Sequence, residues 1–123
     1  MHSAYIKFSN QGALMAPLKP AQQLILLLLA EEPTYGVALL ERIDERSGGE
    51  LRLNAGSLYR MLAALVEDGF VEAIEAPRRE GAGAPRKSYG ATPVGKRALL
   101  AESRRQEAIL DAVRALGLSE PGS

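Results

Sequence analysis

Cysteine is absent from the chain. That excludes a disulfide framework, a thiolate metal site and a cysteine nucleophile. It also suits a reducing compartment. Histidine is nearly absent: His2, close to the first residue, stands alone. A histidine-built metal site and an imidazole-based triad therefore have no residues to draw on. Tryptophan is missing, and four Tyr and two Phe are the whole aromatic supply. Aliphatic side chains must fill the core. Net charge is missing as well, with 15 basic residues against 15 acidic. For a nucleic-acid binder this is unexpected, because phosphate contacts dominate affinity and usually leave a basic balance. No apolar run approaches the ~20 residues of a membrane span. The longest, Leu24 to Ala30, lies between polar flanks. The start has neither a basic segment nor the continuous apolar stretch of a secretory signal. A soluble, cytoplasmic protein with no membrane partner is expected.

What is present is a chain of 123 residues, 46% of them apolar. That suffices for one compact domain with an appendage. Its balanced charge is segregated. From Glu31 to Glu50 there are six acids and two bases; from Pro77 to Arg97 there are six bases and one acid. The patterning predicts an N-terminal arm over residues 1–17, in which AYIKF fits a short strand or part of a helix. A domain over 18–92, a C-terminal helix over 93–117 and a tail over 118–123 follow.

Within the domain a first helix runs from about Pro20 to Glu31. Pro20 suits a first turn, where its missing N–H costs nothing, and Leu24 to Leu29 make the helix apolar nearly all round and hence central. A second helix opens at Thr34 as N-cap and runs to about Ser47, with Gly36, Leu39, Leu40 and Ile43 on one face. Gly36 there means either the close approach of another helix or a capping preference. Gly48-Gly49 stops the helix, and ELRL fits a short strand. Asn54 caps a third helix over about Ala55 to Asp68. Its buried stripe is Leu58, Met61, Leu62, Leu65 and Val66, and Gly69 ends it. FVEAIE and RKSYGAT pair as a hairpin around a basic, glycine-rich tip, PRREGAGAP. Thr92-Pro93 opens the last helix, whose stripe is Val94, Ala98, Ala101, Ile109, Ala112, Val113 and Leu116, interrupted by Arg105.

This order is the parts list of a winged helix-turn-helix, a mainly α (small α+β) fold. Its third helix enters the DNA major groove and its hairpin, the wing, follows the backbone. With Leu58 at the centre of the buried stripe, Gly56, Arg60, Ala63 and Glu67 project outward. A groove about 12 Å wide admits a helix only where that face is slim, and Gly56 and Ala63 keep it slim. Asn54, at the positive end of the helix, and Ser57 and Tyr59, on its flanks, are placed to meet phosphates. Arg60 is placed to reach a guanine edge or a phosphate. Arg78, Arg79, Arg86 and Lys87 supply the wing's charge. The plainer alternatives are a helix-start serine, a packing tyrosine, a solvated arginine and a solvated cluster on the hairpin.

The stretches ILLLLAEEPTYGVALLERIDERSGG, LNAGSLYRMLAALVEDGFVE and APRKSYGATPVGKRAL resemble the PadR-like transcriptional regulators. The resemblance covers about Leu18 to Leu100, and its centre is Gly56, Ser57, Leu58 and Tyr59, followed by Leu62, Leu65 and Gly69. The sequence departs from that pattern at Val37, often Tyr; at Arg60, often Pro; and at Gly90-Ala91, where a basic and an aliphatic residue usually follow the aromatic one. The last change bears on how the wing's second strand packs. The resemblance implies a homodimer on an inverted-repeat operator, usually a repressor, with an interface on the C-terminal helix. It also implies response to a small hydrophobic or aromatic effector, whose pocket here would be lined by Leu, Met, Tyr and Phe. Independently, the last helix carries more apolar stripe than one small domain covers. Ala101, Ile109, Ala112, Val113 and Leu116 are its candidates for contact with a second copy; folding back on the same domain is the alternative.

Two other functions compete. A winged helix also serves as a protein-interaction adaptor without DNA. Convergence of Arg60, Arg78, Arg79, Arg86 and Lys87 on one face would favour DNA. An enzyme needs a convergent catalytic site, and the carboxylates of Glu41, Asp44 and Glu45 read as a wet helix face. No enzyme, cofactor or metal is expected.

Overall fold

The computed structural model describes residues 17–75 and 87–118. AYIKF, the hairpin tip with Arg78, Arg79 and Arg86, and most of the tail lie outside the described residues. Those described form α1 (Pro20–Glu31), β1 (Thr34–Tyr35), α2 (Gly36–Arg46), α3 (Ala55–Glu67), β2 (Val71–Glu75), β3 (Lys87–Ala91) and α4 (Pro93–Arg114). The three helices before the hairpin, the hairpin itself and the long closing helix make a winged helix. Among the described residues, no helix is long and apolar enough to cross a membrane.

Helix α1 is the central one. The Lys19 amide donates to Gln22 Oε1 at 2.9 Å and closes its first turn, where Pro20 needs no donor. Ile25, Leu26, Leu28 and Leu29 are buried almost completely. Burial of each such side chain is worth roughly 1.5–3 kcal/mol. At the far end of α1, Glu31 accepts from Arg42 at 3.0 Å and from Arg46 at 2.7 Å. The Arg46 hydrogen bond is the main reason its carboxyl stays below the ordinary carboxylate range. This exposed group orients α2 against α1 and adds little stability, because water screens it.

Two local expectations change. Thr34 is not an N-cap: Thr34 and Tyr35 form an edge strand paired with Tyr89 and Ser88. The residue before Pro33, Glu32, is extended (φ −164°, ψ 145°), as a residue before proline must be. The chain stays extended until α2 starts, after Tyr35. ELRL correspondingly forms no strand. The free edge of β3 is taken by β1, giving a sheet of order β1-β3-β2, and Leu51 and Leu53 instead tuck against the core.

In α2, Gly36, Leu39 and Ile43 are buried. A β-carbon at Gly36 would overlap the Tyr59 hydroxyl and stand 2.8 Å from its Cζ. Close approach of α3, rather than capping, accounts for that glycine. In α3, Asn54 Oδ1 accepts from the Ser57 amide at 2.7 Å. Leu58, Leu62 and Leu65 form the buried stripe, with Met61 half-buried. Val66, expected within that stripe, is 38% exposed; it falls at its edge. Gly69, at φ 80°, ends the helix. Strands β2 and β3 pair antiparallel from Val71↔Ala91 to Glu75↔Lys87.

Helix α4 starts at a double anchor. Thr92 Oγ1 accepts from the Gly95 amide at 3.0 Å and donates to the Gly69 carbonyl at 2.6 Å. Ala98 and Ala101 are buried within the chain, whereas Val94, expected beside them, is exposed. Arg105 is no mere interruption of the stripe. It is buried and donates to Glu102 at 2.7 Å, and the same carboxylate oxygen accepts from the Leu18 amide at 2.8 Å. Burial pushes the Glu102 carboxyl up, but the bonds from Arg105 and Leu18 outweigh it and leave it below its ordinary value. A carboxyl so lowered stabilises the fold above the unfolded-state pKa, and that stability is lost as pH falls through the folded value. Glu102→Gln is therefore expected to cost about 2 kcal/mol at pH 7, as for a hydrogen bond to a charged group. Urea titrations of both proteins should show the difference closing in acid, below the ordinary carboxylate range. A pH-independent difference would contradict the charged role of Glu102.

Candidate nucleic-acid interface

The outward face of α3 is open. Gly56, Arg60, Ala63 and Glu67 are all exposed, opposite a fully buried Leu58. No described residue covers this ridge. It is narrow at Gly56 and Ala63, which add almost no side chain. The Asn54 cap satisfies the Ser57 amide and leaves the amides of Ala55 and Gly56 without intrahelical acceptors. No acid lies in the first turn, so the positive end of the helix dipole is uncompensated.

The individual side chains sort themselves. Asn54 commits its Oδ1 to the cap and keeps its amide group for another partner. Arg60 folds back across the first turn: its Nη2 donates to Ser57 Oγ at 3.2 Å, and its Nη1 lies 3.5 Å from where a Gly56 β-carbon would stand. Tyr59 is 44% exposed and its ring end rests over Gly36. It also lies near Tyr89, whose phenol is pushed up first by burial and then by Tyr59. Tyr59 thus joins α3 to α2 and to the wing, with one side still in solvent. Lys87 is exposed on β3, opposite Glu75 in register. The other three cations expected on the wing, Arg78, Arg79 and Arg86, fall outside the described residues. Ser88, next to Lys87, pairs with Tyr35 at the start of α2. Hairpin, α2 start and α3 flank therefore meet at one place.

Two clefts border these elements, each of about 260 Å³. One lies beside α3 and is lined by Lys19, Gln22, Ser57, Arg60, Met61 and Ala64. Lys19 was not legible as a site residue, since it precedes α1 and reaches α3 only through tertiary packing. The other lies between α1 and α4, lined by Pro20, Gln23, Leu24, Leu27, Leu99 and Ser103. Gln23 and Gln106 exchange hydrogen bonds at 2.8 and 2.7 Å beside it. Beyond Arg105 no residue of α4 is buried. Ile109, Ala112, Val113 and Leu116 are exposed there, whereas Ala101 is already covered by its own chain.

The sequence model of the transcriptional regulator PadR-like family matches residues 25–101. Among solved structures, the chain is similar to a PadR family transcription regulator from Clostridium difficile R20291. They are 21% identical, with a TM-score of 0.68, over 80% of this chain and 98% of that one. A PadR-like transcription factor from Bacteroides fragilis is 25% identical, with a TM-score of 0.66, over 77% of this chain and 87% of that one. A PadR family transcriptional regulator from Eggerthella lenta is 25% identical, with a TM-score of 0.64, over 80% and 82%. A comparison with curated proteins found no match.

Proposed function

Because the chain belongs to the PadR-like family of DNA-binding transcriptional regulators, we propose that it is a repressor acting as a homodimer on an inverted-repeat operator. The observation that carries this reading is the uncovered ridge of α3, slim at Gly56 and Ala63 and bearing Arg60 beside a positive helix end. In this reading α3 lies in the major groove and Arg60 unfolds from Ser57 to a base edge or phosphate. Asn54, Ser57 and Tyr59 meet phosphates along its flanks, and Arg78, Arg79, Arg86 and Lys87 follow the backbone. The exposed end of α4, with Ile109, Ala112 and Val113 and with Leu116 just beyond it, joins two copies, so that two ridges read the two halves of a palindrome. The apolar cleft between α1 and α4 supports release by a small hydrophobic effector, with Leu24, Leu27 and Leu99 as its lining. The site of action is the cytoplasm.

Selection of bound duplexes from a random pool tests this. A palindromic sequence should be enriched. On that duplex, Arg60→Ala should cost about 1–3 kcal/mol per half-site, the range for one good base contact, read by gel shift. An unchanged shift removes Arg60 from the interface. Failure to enrich any palindrome moves the function to a protein-interaction adaptor.

A further inference from the structure

We infer that Lys19 and Arg60 together hold one backbone phosphate of duplex DNA, on the side of α3 away from the start of α2. The inference rests on the DNA-binding function proposed above. It begins with the two flanks of α3. On one, Tyr59 leans on Gly36 and lies near Tyr89, so α2 and the wing occupy that side. On the other, Ser57, Arg60, Met61 and Ala64 border the cleft shared with Lys19 and Gln22. A helix in the major groove has a phosphate wall on each side, and the second wall runs past this cleft.

The polar side chains of the cleft all offer donors, beside the apolar Met61 and Ala64. Gln22 Oε1 is taken by the Lys19 amide, leaving its side-chain NH₂ to donate. Ser57 Oγ already accepts from Arg60, leaving its hydroxyl hydrogen. Lys19 and Arg60 donate and cannot accept. No carboxylate lines the cleft. Four arginines elsewhere do face carboxylates: Arg42 and Arg46 are paired with Glu31, Arg52 with Asp44 and Arg105 with Glu102. A phosphate, which only accepts, fits this donor set.

Helix stability does not explain Lys19. It stands at the N-cap of α1, a position that favours Ser, Thr, Asp or Asn, and it makes no side-chain cap there. A cation at that end opposes the helix dipole, and no acid in the first turn offsets it. Two helix starts without first-turn acids, α1 and α3, border one cleft. A bound anion relieves both.

The test measures affinity of wild type, Lys19→Ala and Lys19→Arg for the enriched operator and for a scrambled duplex, between 50 and 200 mM KCl. Each lost phosphate contact lowers the slope of log K against log salt by about 0.9, so wild type should lose about 3.5-fold more affinity per protomer across that range than Lys19→Ala. The loss should be equal on both duplexes, because a phosphate contact carries no sequence information. Lys19→Arg should keep the wild-type slope, and in thermal melts neither variant should be less stable than wild type, because the cation at that helix end contributes no stability. An unchanged slope in Lys19→Ala, with the wild type binding its operator, overturns the inference and leaves the DNA-binding function standing. A wild type that binds no duplex overturns both. Lys19-dependent binding of inorganic phosphate without any effect on the DNA slope assigns the cleft to a free anion and overturns it also.

Discussion

Val113→Glu is expected to halve the mass measured by light scattering at micromolar concentration and to reduce operator affinity to the level of random duplex. Helix α4 has 22 residues and so extends about 33 Å. One face of its first half is covered by the chain itself, through Ala98, Ala101 and the Glu102–Arg105 pair. Past Arg105 the cover ends, and Ile109 and Leu110 are each 46% exposed and Leu116 75%. A contiguous apolar surface of this kind on a small chain marks an association site. Placing a carboxylate in its middle removes the burial of a valine and adds the desolvation of a charge, which costs several kcal/mol. A net loss of about 3 kcal/mol weakens association by more than 100-fold. Two symmetry-related copies are equally affected. DNA binding falls with it because joined ridges bind two half-sites as one event, whereas a separated ridge gains nothing from the second half-site. Ile109→Glu should behave alike. A wild type that is monomeric at micromolar concentration, or a Val113→Glu protein that keeps its mass, would place the interface elsewhere.

The legible parts of this molecule were those written in short range. Asn54 and Thr92 cap their helices with the residues three positions on, and Leu58, Leu62 and Leu65 recur at a helical period, so α3 and α4 could be placed from pattern alone. The outward set of Gly56, Arg60, Ala63 and Glu67 followed from the same geometry. What was misread depended on partners far along the chain. Whether Thr34-Tyr35 or ELRL supplies the third strand is decided by the edge of β3, more than fifty residues beyond β1. Arg105 looked like a break in an apolar stripe because its partner is a carboxylate one turn away, which the distant Leu18 amide also holds. Lys19 was not singled out, because it precedes α1 in the sequence and shares a cleft with Arg60 only in the folded chain. Ala101 had the spacing of an interface residue and proved to be core, because α1 covers the first half of α4 and not the second.

Gly95→Ala should be the most damaging glycine-to-alanine change among the described residues. A β-carbon at Gly95 would overlap the Phe70 carbonyl oxygen and lie 2.8 Å from the carbonyl carbon. The obstacle is backbone, and this backbone is fixed. The Phe70 carbonyl accepts from the Thr92 amide at 3.0 Å, Thr92 Oγ1 bonds the Gly69 carbonyl, and the Gly95 amide returns to Thr92 Oγ1. The turn after α3 and the first turn of α4 are thus one hydrogen-bonded knot, and neither yields without breaking it. Overpacking of a site this rigid costs about 3 kcal/mol. For a chain of this size that lowers Tm by roughly 12 °C, and it loosens the joint that sets α4 relative to α3. A useful contrast is Gly90→Ala, where the sequence departs from its relatives' pattern. There the added carbon would meet the Ile74 Cδ1 at 3.4 Å and Pro33 Cγ at 3.7 Å, which are ordinary contacts with side chains able to shift. Its cost should stay below about 1 kcal/mol. Calorimetric melts of the two variants decide the matter: equal Tm values would mean that the knot at Phe70 and Thr92 is softer than its geometry, and that α4 is held in place by Ala98 and the buried Glu102–Arg105 pair instead.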